Sequence, residues 1–247
     1  MSRRDIPVAI QLYSVRTAIA DDVPGTLKKL AAMGYQGVET AGFYGLDGPA
    51  LRAMLDDCGL RCAGAHTGLK TLEGDERAAT VAVCQALGTD RLIVPSADMD
   101  ELDNAIARMK QAYDALKPLG MRTGFHNHTR EFELVGDTTK FDKIFSDMPD
   151  DFLAQLDIGW ATCAGQDVPA LLRRHAQRLE TVHVKEYHPD KPEAVVGEGR
   201  VDWATILPVI ERETAVQWYV VEQEQYEKDP LDSAQRCVEN LRAILAR

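Results

Sequence analysis

Four side chains able to hold a divalent cation each close an apolar run in a different part of the chain. His126 follows Thr123-Gly124-Phe125, Asp157 follows Leu153-Ala154-Gln155-Leu156, His183 follows Thr181-Val182, and Glu222 follows Trp218-Tyr219-Val220-Val221. Short apolar runs rich in β-branched residues read as strands. Imidazole and carboxylate donors at four successive strand ends converge on one cation if the strands are parallel and arranged in a ring. Three of the donors also have an ordinary explanation: a hydrogen-bonded loop for His126, a helix N-cap for Asp157, a satisfied strand histidine for His183. Their recurrence at equivalent positions favours the metal, because an unpaired carboxylate ending an apolar strand is costly and coordination compensates it.

Neighbouring residues extend the chemistry. In His126-Asn127-His128, period-two alternation puts both rings on one side if the strand continues, making His126 the ligand and His128 a supporting or substrate-binding group. Lys185 shares a side with His183 and can stabilise a substrate oxyanion, with Glu186 and Glu198 as competing ion-pair partners. Glu222, kept ionised by a cation, can also exchange a proton with substrate.

The elements that must position these groups alternate along the chain. Strands are expected at Val8 to Leu12, Gly37 to Glu39, Arg61 to His66, Arg91 to Val94, Met121 to His126, Leu153 to Asp157, Thr181 to Val184 and Trp218 to Glu222. Between them, Pro24 to Met33, Ala50 to Cys58, Glu76 to Leu87, Leu102 to Leu116, Thr139 to Phe145, Val168 to Arg174, Trp203 to Arg212 and Leu231 to Leu245 carry helical apolar spacing. Gly34, Gly59, Gly88 and Gly120 suit left-handed helix ends. Eight strand-helix units in 247 residues predict a single α/β barrel domain over 1–247, with no linker.

Composition narrows the partners. The 28 basic residues against 39 acidic ones leave a formal charge of −11, which opposes nucleic-acid binding and an anionic membrane. No apolar run reaches the roughly 20 residues of a membrane span, and Met1-Ser2-Arg3-Arg4-Asp5 lacks the apolar stretch of a secretory signal, so a cytoplasmic location is expected. Five cysteines without a paired metal-knuckle spacing are expected to be reduced, with Cys163 near the site. The helical exterior is compatible with a homo-oligomer, but no sequence seam defines one.

As a set, the motifs resemble the xylose isomerase-like TIM-barrel superfamily, in the sugar phosphate isomerase/epimerase branch that includes ketose 3-epimerases and inosose dehydratase-like proteins. The resemblance spans nearly the whole chain. It is carried by Ile10-Gln11-Leu12-Tyr13-Ser14-Val15-Arg16, Gly34-Tyr35-Gln36-Gly37-Val38-Glu39, Ala65-His66-Thr67-Gly68, His126-Asn127-His128, Leu156-Asp157-Ile158-Gly159, Val182-His183-Val184-Lys185, Gly197-Glu198-Gly199-Arg200-Val201-Asp202-Trp203 and Val221-Glu222. It implies a (β/α)8 TIM barrel and one divalent cation (manganese, magnesium, cobalt or zinc) held at the C-terminal mouth by His126, Asp157, His183 and Glu222. Glu39 and His66 are implied to line the substrate pocket. Two departures matter. The fifth-strand ligand in ketose epimerases is usually glutamate, whereas His126 stands here; and Trp160 replaces a common histidine, making an apolar wall suited to a sugar ring.

The chemistry expected is proton transfer at a carbon next to a carbonyl in a sugar or keto-sugar, through a metal-stabilised enediolate. Glu222 removes the proton, and His126, His128 or Lys185 assists its return or the departure of a leaving group. Return gives isomerisation or epimerisation; departure gives keto-glycoside lyase or inosose dehydratase-like chemistry. Arg16, Arg130, Lys185 and Arg200 are available to a phosphate, although dispersed basic residues usually belong to solvated faces. An endonuclease would need a basic track that the acidic balance disfavours, and a non-catalytic sugar-binding module is the alternative of a different class.

Overall fold

The computed structural model describes residues 5–247. Eight parallel strands close on themselves: β1 (Val8–Gln11), β2 (Gly37–Ala41), β3 (Arg61–His66), β4 (Arg91–Val94), β5 (Arg122–His126), β6 (Leu153–Asp157), β7 (Leu179–Val184) and β8 (Trp218–Val221). Each pairs with the next in sequence, and β8 returns to β1 through Val8–Tyr219, Ala9–Val220 and Ile10–Val221. This is a (β/α)8 TIM barrel.

Among the described residues, ten α-helices surround or cap it: α1 (Arg16–Asp21), α2 (Val23–Met33), α3 (Gly48–Asp57), α4 (Glu76–Leu87), α5 (Leu102–Leu116), α6 (Lys140–Asp147), α7 (Ile158–Cys163), α8 (Val168–Arg174), α9 (Trp203–Glu213) and α10 (Pro230–Leu245). A recurring Asp and Pro pair starts four of them. Asp22, Asp47, Asp167 and Asp229 accept a backbone N–H from the first turn, and Pro24, Pro49, Pro169 and Pro230 occupy positions that need no donor. Gly34 and Gly88 end α2 and α4 in the left-handed region and turn the chain into β2 and β4.

Strand alternation explains the contents of the barrel. Inward residues near the N-terminal end form a small apolar group of Ala9, Ala63, Trp218 and Val220, separate from the larger core between strands and helices. That end is closed by Arg91 and Arg122, both bonded to Glu180; Arg122 also bonds Asp90 at 2.8 and 3.0 Å. Polar side chains fill the opposite half. A cavity of ≈ 400 Å³ opens above them, lined in part by Tyr13, His66, His126, His128, Glu222 and Glu224. Among the described residues, no helix is long and apolar enough to cross a membrane.

The structure adds elements that the periodicity does not reveal. α7 directly follows β6, and the short antiparallel pair Leu134–Val135 and Thr138–Thr139 precedes α6. β5 stops at His126, so His128 lies beyond the strand and reaches the mouth from a loop.

Candidate metal centre and substrate pocket

The ends of β5, β6, β7 and β8 bring His126, Asp157, His183 and Glu222 together, with one donor atom from each lying within 4.8 Å of the others. Period two puts each in register with an inward residue below it: Gly124 under His126, Gln155 under Asp157, Thr181 under His183 and Val220 under Glu222. Gly124 permits the close approach of β5 and β6, since a Cβ there would come within 2.5 Å of the Leu153 carbonyl oxygen.

Asp157 divides its two oxygens. Oδ1 accepts the Trp160 N–H at 2.7 Å and so caps α7, while buried Oδ2 has no hydrogen-bond partner and stands 3.8 Å from His183 Nδ1. Capping and ligation, alternatives in the sequence, are therefore compatible in space. A buried carboxylate oxygen without a donor, facing two imidazoles and a second carboxylate, suits a divalent cation in both charge and ligand type.

Burial and mutual charge set the four groups apart in protonation. Burial raises the Asp157 carboxyl, and the charge of Glu222 raises it further against the pull of Lys185 and His183. Burial would raise Glu222 too, but Lys185 and His183 outweigh it and hold Glu222 well below the usual carboxylate range. Burial would lower His183, yet Glu222 and Glu39 drive it up to about 10. His126 is held well below an ordinary histidine by burial and by the charges of His183 and His66.

Glu39, expected from the resemblance to line the pocket, is placed beneath it. Its side chain is fully buried and both oxygens are occupied. Oε2 accepts from Gln11 Nε2 at 2.8 Å and His183 Nε2 at 2.7 Å, with His66 Nε2 at 3.1 Å; Oε1 accepts from Gln155 Nε2 at 2.7 Å. With both oxygens bonded inside the protein and its side chain fully buried, Glu39 supports the rings above it. His66 does border the cavity, as do His126 and His128. The His128 ring lies 5.0 Å from that of His126 and 5.9 Å from Trp160.

Lys185 is paired with neither Glu186 nor Glu198. Its Nζ donates to Glu224 at 2.9 Å, lies 3.8 Å from Glu222 Oε2 and sits 5.0 Å over the Trp160 ring. Burial would lower the Lys185 ammonium, but Glu222, Asp157 and Glu224 raise it, so it remains charged at the pocket wall. Glu198 instead meets Arg236 at 2.6 Å. Glu186 is buried and accepts the backbone N–H groups of Tyr187, Gly197 and Val201 and the indole N–H of Trp203 at 2.8 to 3.0 Å, shaping the loop after β7. That loop and Trp160 enclose a second cavity of ≈ 220 Å³, which shares Glu224 with the first. Of the dispersed cations, Arg16 bonds the Tyr13 and Glu224 carbonyls, and Arg130 pairs with Asp100. Cys163 is half-buried at the end of α7.

Sequence reading missed Gln11, Gln155 and Glu224. Each had a readable signal: a polar side chain interrupting an apolar strand, or one two residues beyond a ligand candidate on the same side.

Comparison with known proteins agrees with this architecture. The family model described as xylose isomerase-like TIM barrel matches residues 27–244. An inosose dehydratase from Geobacillus kaustophilus (strain HTA426) is 24% identical, with 84% of each chain covered. The rhizopine catabolism protein MocC from Rhizobium meliloti is 26% identical over 95% of this chain and 90% of its own. A crystal structure of a sugar phosphate isomerase/epimerase from Parabacteroides distasonis ATCC 8503 superposes with a TM-score of 0.82 at 20% identity, covering 98% of this chain and 95% of that one.

Proposed function

Because the chain belongs to the xylose isomerase-like TIM-barrel family, we propose that it is a divalent-metal-dependent enzyme that moves a proton at the carbon beside a carbonyl in a sugar or polyol ketone. The observation that carries this reading is the convergence of His126, Asp157, His183 and Glu222 at the open mouth, with the Asp157 Oδ2 atom buried and without a donor. A cation held by these four groups would supply Lewis-acid polarisation of the substrate carbonyl.

Glu222 is the base. It is ionised, borders the cavity, and has Lys185 Nζ 3.8 Å away. Its carboxylate takes the proton from carbon, and the C–H electron pair moves toward the carbonyl oxygen. The Lys185 ammonium lies on the same wall and stabilises negative charge developing on a substrate oxygen. Trp160 and Tyr13 offer aromatic faces to a sugar ring. Returning the proton gives isomerisation or epimerisation. In those reactions, His128, which borders the same cavity as Glu222, assists delivery.

Elimination is the second reading, favoured by the residue on β5. Two-base epimerisation is served by carboxylates on opposite faces, whereas β5 supplies His126, whose ring stays neutral and is a poor proton donor near neutrality. The C–H electron pair would then expel a β-hydroxyl, which leaves as water after protonation from Lys185. Similarity to an inosose dehydratase supports keeping this outcome beside the first.

The test is a screen of ketoses, keto-glycosides and inososes in deuterated water, with metal-depleted protein as control. Deuterium incorporation with an isomeric product indicates proton return, and loss of water indicates elimination. Sugar binding that chelation does not alter, with no exchange and no product, would overturn the enzymatic reading and leave a binding module.

A further inference from the structure

We infer that Gln155 is a positioning residue that fixes the ring tautomer of His126, so that its Nε2 lone pair faces the other donors of the candidate metal centre. This inference rests on the metal reading above, but its hydrogen-bond logic is contained in the chain itself. The hydrogen-bond network starts at a group with no choice of direction. The backbone N–H of Tyr13 donates to Gln11 Oε1 at 3.1 Å, which leaves Gln11 Nε2 to donate to Glu39 Oε2 at 2.8 Å. Glu39 therefore accepts, and it accepts from the amide end of Gln155 as well, Nε2 to Oε1 at 2.7 Å. The same Gln155 nitrogen donates to Thr181 Oγ1 at 2.8 Å.

With its NH2 end committed twice, Gln155 can only present its carbonyl oxygen to the rings above. That oxygen lies 2.6 Å from His66 Nε2 and 3.2 Å from His126 Nδ1, so both nitrogens must carry hydrogen. A neutral His126 protonated at Nδ1 has its lone pair at Nε2. Glu39 performs the matching role for His183 by accepting from Nε2 at 2.7 Å, which leaves Nδ1 on the side of Glu222 and Asp157, at 3.1 and 3.8 Å. Outer hydrogen bonds of this kind set which nitrogen a histidine offers.

The same network distinguishes two overlapping groups of donors. His66, His126 and His183 also bring three nitrogens within 4.8 Å. However, the His66 and His183 rings are stacked, 5.2 Å apart and 10° from parallel. Both rings already turn Nε2 onto Glu39 Oε2, His183 at 2.7 Å and His66 at 3.1 Å. With His66 Nε2 hydrogen spent on Gln155 and Glu39, the three-imidazole group is a support, and the cation belongs with the carboxylates.

The test reads tautomers directly in metal-free, 15N-labelled protein by long-range proton–nitrogen correlation. His126 is assigned by its disappearance in His126→Gln. The expected result is the Nδ1–H tautomer in the wild type. Gln155→Leu should convert His126 to a mixture or to the Nε2–H form and weaken Mn²⁺ or Zn²⁺ binding, measured by calorimetry, by roughly 10- to 100-fold. Thr181→Val, which removes one anchor of the amide and keeps Gln155, should give a smaller shift in the same direction. A wild-type His126 in the Nε2–H form would overturn the inference even if neither variant folds, as would unchanged tautomer and affinity in folded Gln155→Leu. An Nδ1–H tautomer in a protein that binds no cation would leave the positioning role standing and defeat the metal reading.

Discussion

Asp157 serves two neighbours with its two oxygens, and this division makes the site testable one atom at a time. Asp157→Ala and His183→Ala should each reduce metal content at least about tenfold relative to wild type, measured by elemental analysis after purification with added Mn²⁺ or Zn²⁺. Unchanged content in both would remove them from the ligand set. Asp157→Ala should also lose the α7 cap, at a cost of about 1 kcal/mol, so thermal unfolding separates the two roles. Glu222→Gln keeps the shape of the side chain and removes the base. Proton exchange into substrate should fall by roughly 10²- to 10⁴-fold, with far less effect on the unfolding temperature. Wild-type exchange would assign the base elsewhere.

At the level of elements, the loop between β7 and α9 depends on one buried carboxylate. Glu186 gathers four N–H groups from residues 187 to 203, and Gly199 lies so close to it that a Cβ would come within 2.4 Å of Glu186 Oε1. Charge-assisted bonds to buried donors are among the more costly to remove, at about 1 to 3 kcal/mol per group left unsatisfied. Glu186→Ala should therefore destabilise the protein by about 3 kcal/mol and accelerate amide hydrogen exchange across 187–201, with the barrel strands less affected. Because Tyr187 and His188 line the second cavity, substrate affinity should fall more than metal content. Equal protection of that loop in variant and wild type would show that its shape has another origin. α7 is fixed differently. Gly159 packs where a Cβ would approach the Lys185 and Glu186 carbonyl oxygens to 2.8 and 2.9 Å, which brings Trp160 against Lys185.

For the whole molecule, three free thiols in the core, Cys62, Cys84 and Cys237, set an alkaline limit on stability. Burial pushes each up to about 12 from the ordinary 9.0, with Cys84 adding to the rise at Cys62. Folding thus favours the protonated thiol. Below pH 9 both states hold these protons; above it the unfolded chain releases them first, so stability declines as pH rises from 9 toward 12. At pH 10 the loss is about 1 kcal/mol per thiol. Urea unfolding should show a drop between pH 8 and pH 10 that is smaller by roughly a third in Cys237→Ala, and an identical drop would place the alkaline sensitivity in other groups.

The chain by itself determined the rhythm of strands and helices, because burial against two faces demands apolar runs and a helix demands apolar spacing of three and four. Strand alternation also made the four donors legible, since a ligand at a strand end must point inward with every second residue below it. Tertiary structure decided what those donors rest on. Gln11, Glu39 and Gln155 lie on different strands, far apart in sequence, and only closure of the barrel turns them into one hydrogen-bonded layer. The same closure moved Glu39 from an expected pocket wall to a buried support and gave Lys185 a partner, Glu224, that neighbouring residues did not suggest. Periodicity specifies which side of a strand a residue occupies; which other strand's residue meets it depends on register around the ring, a property of the closed barrel and of no single segment.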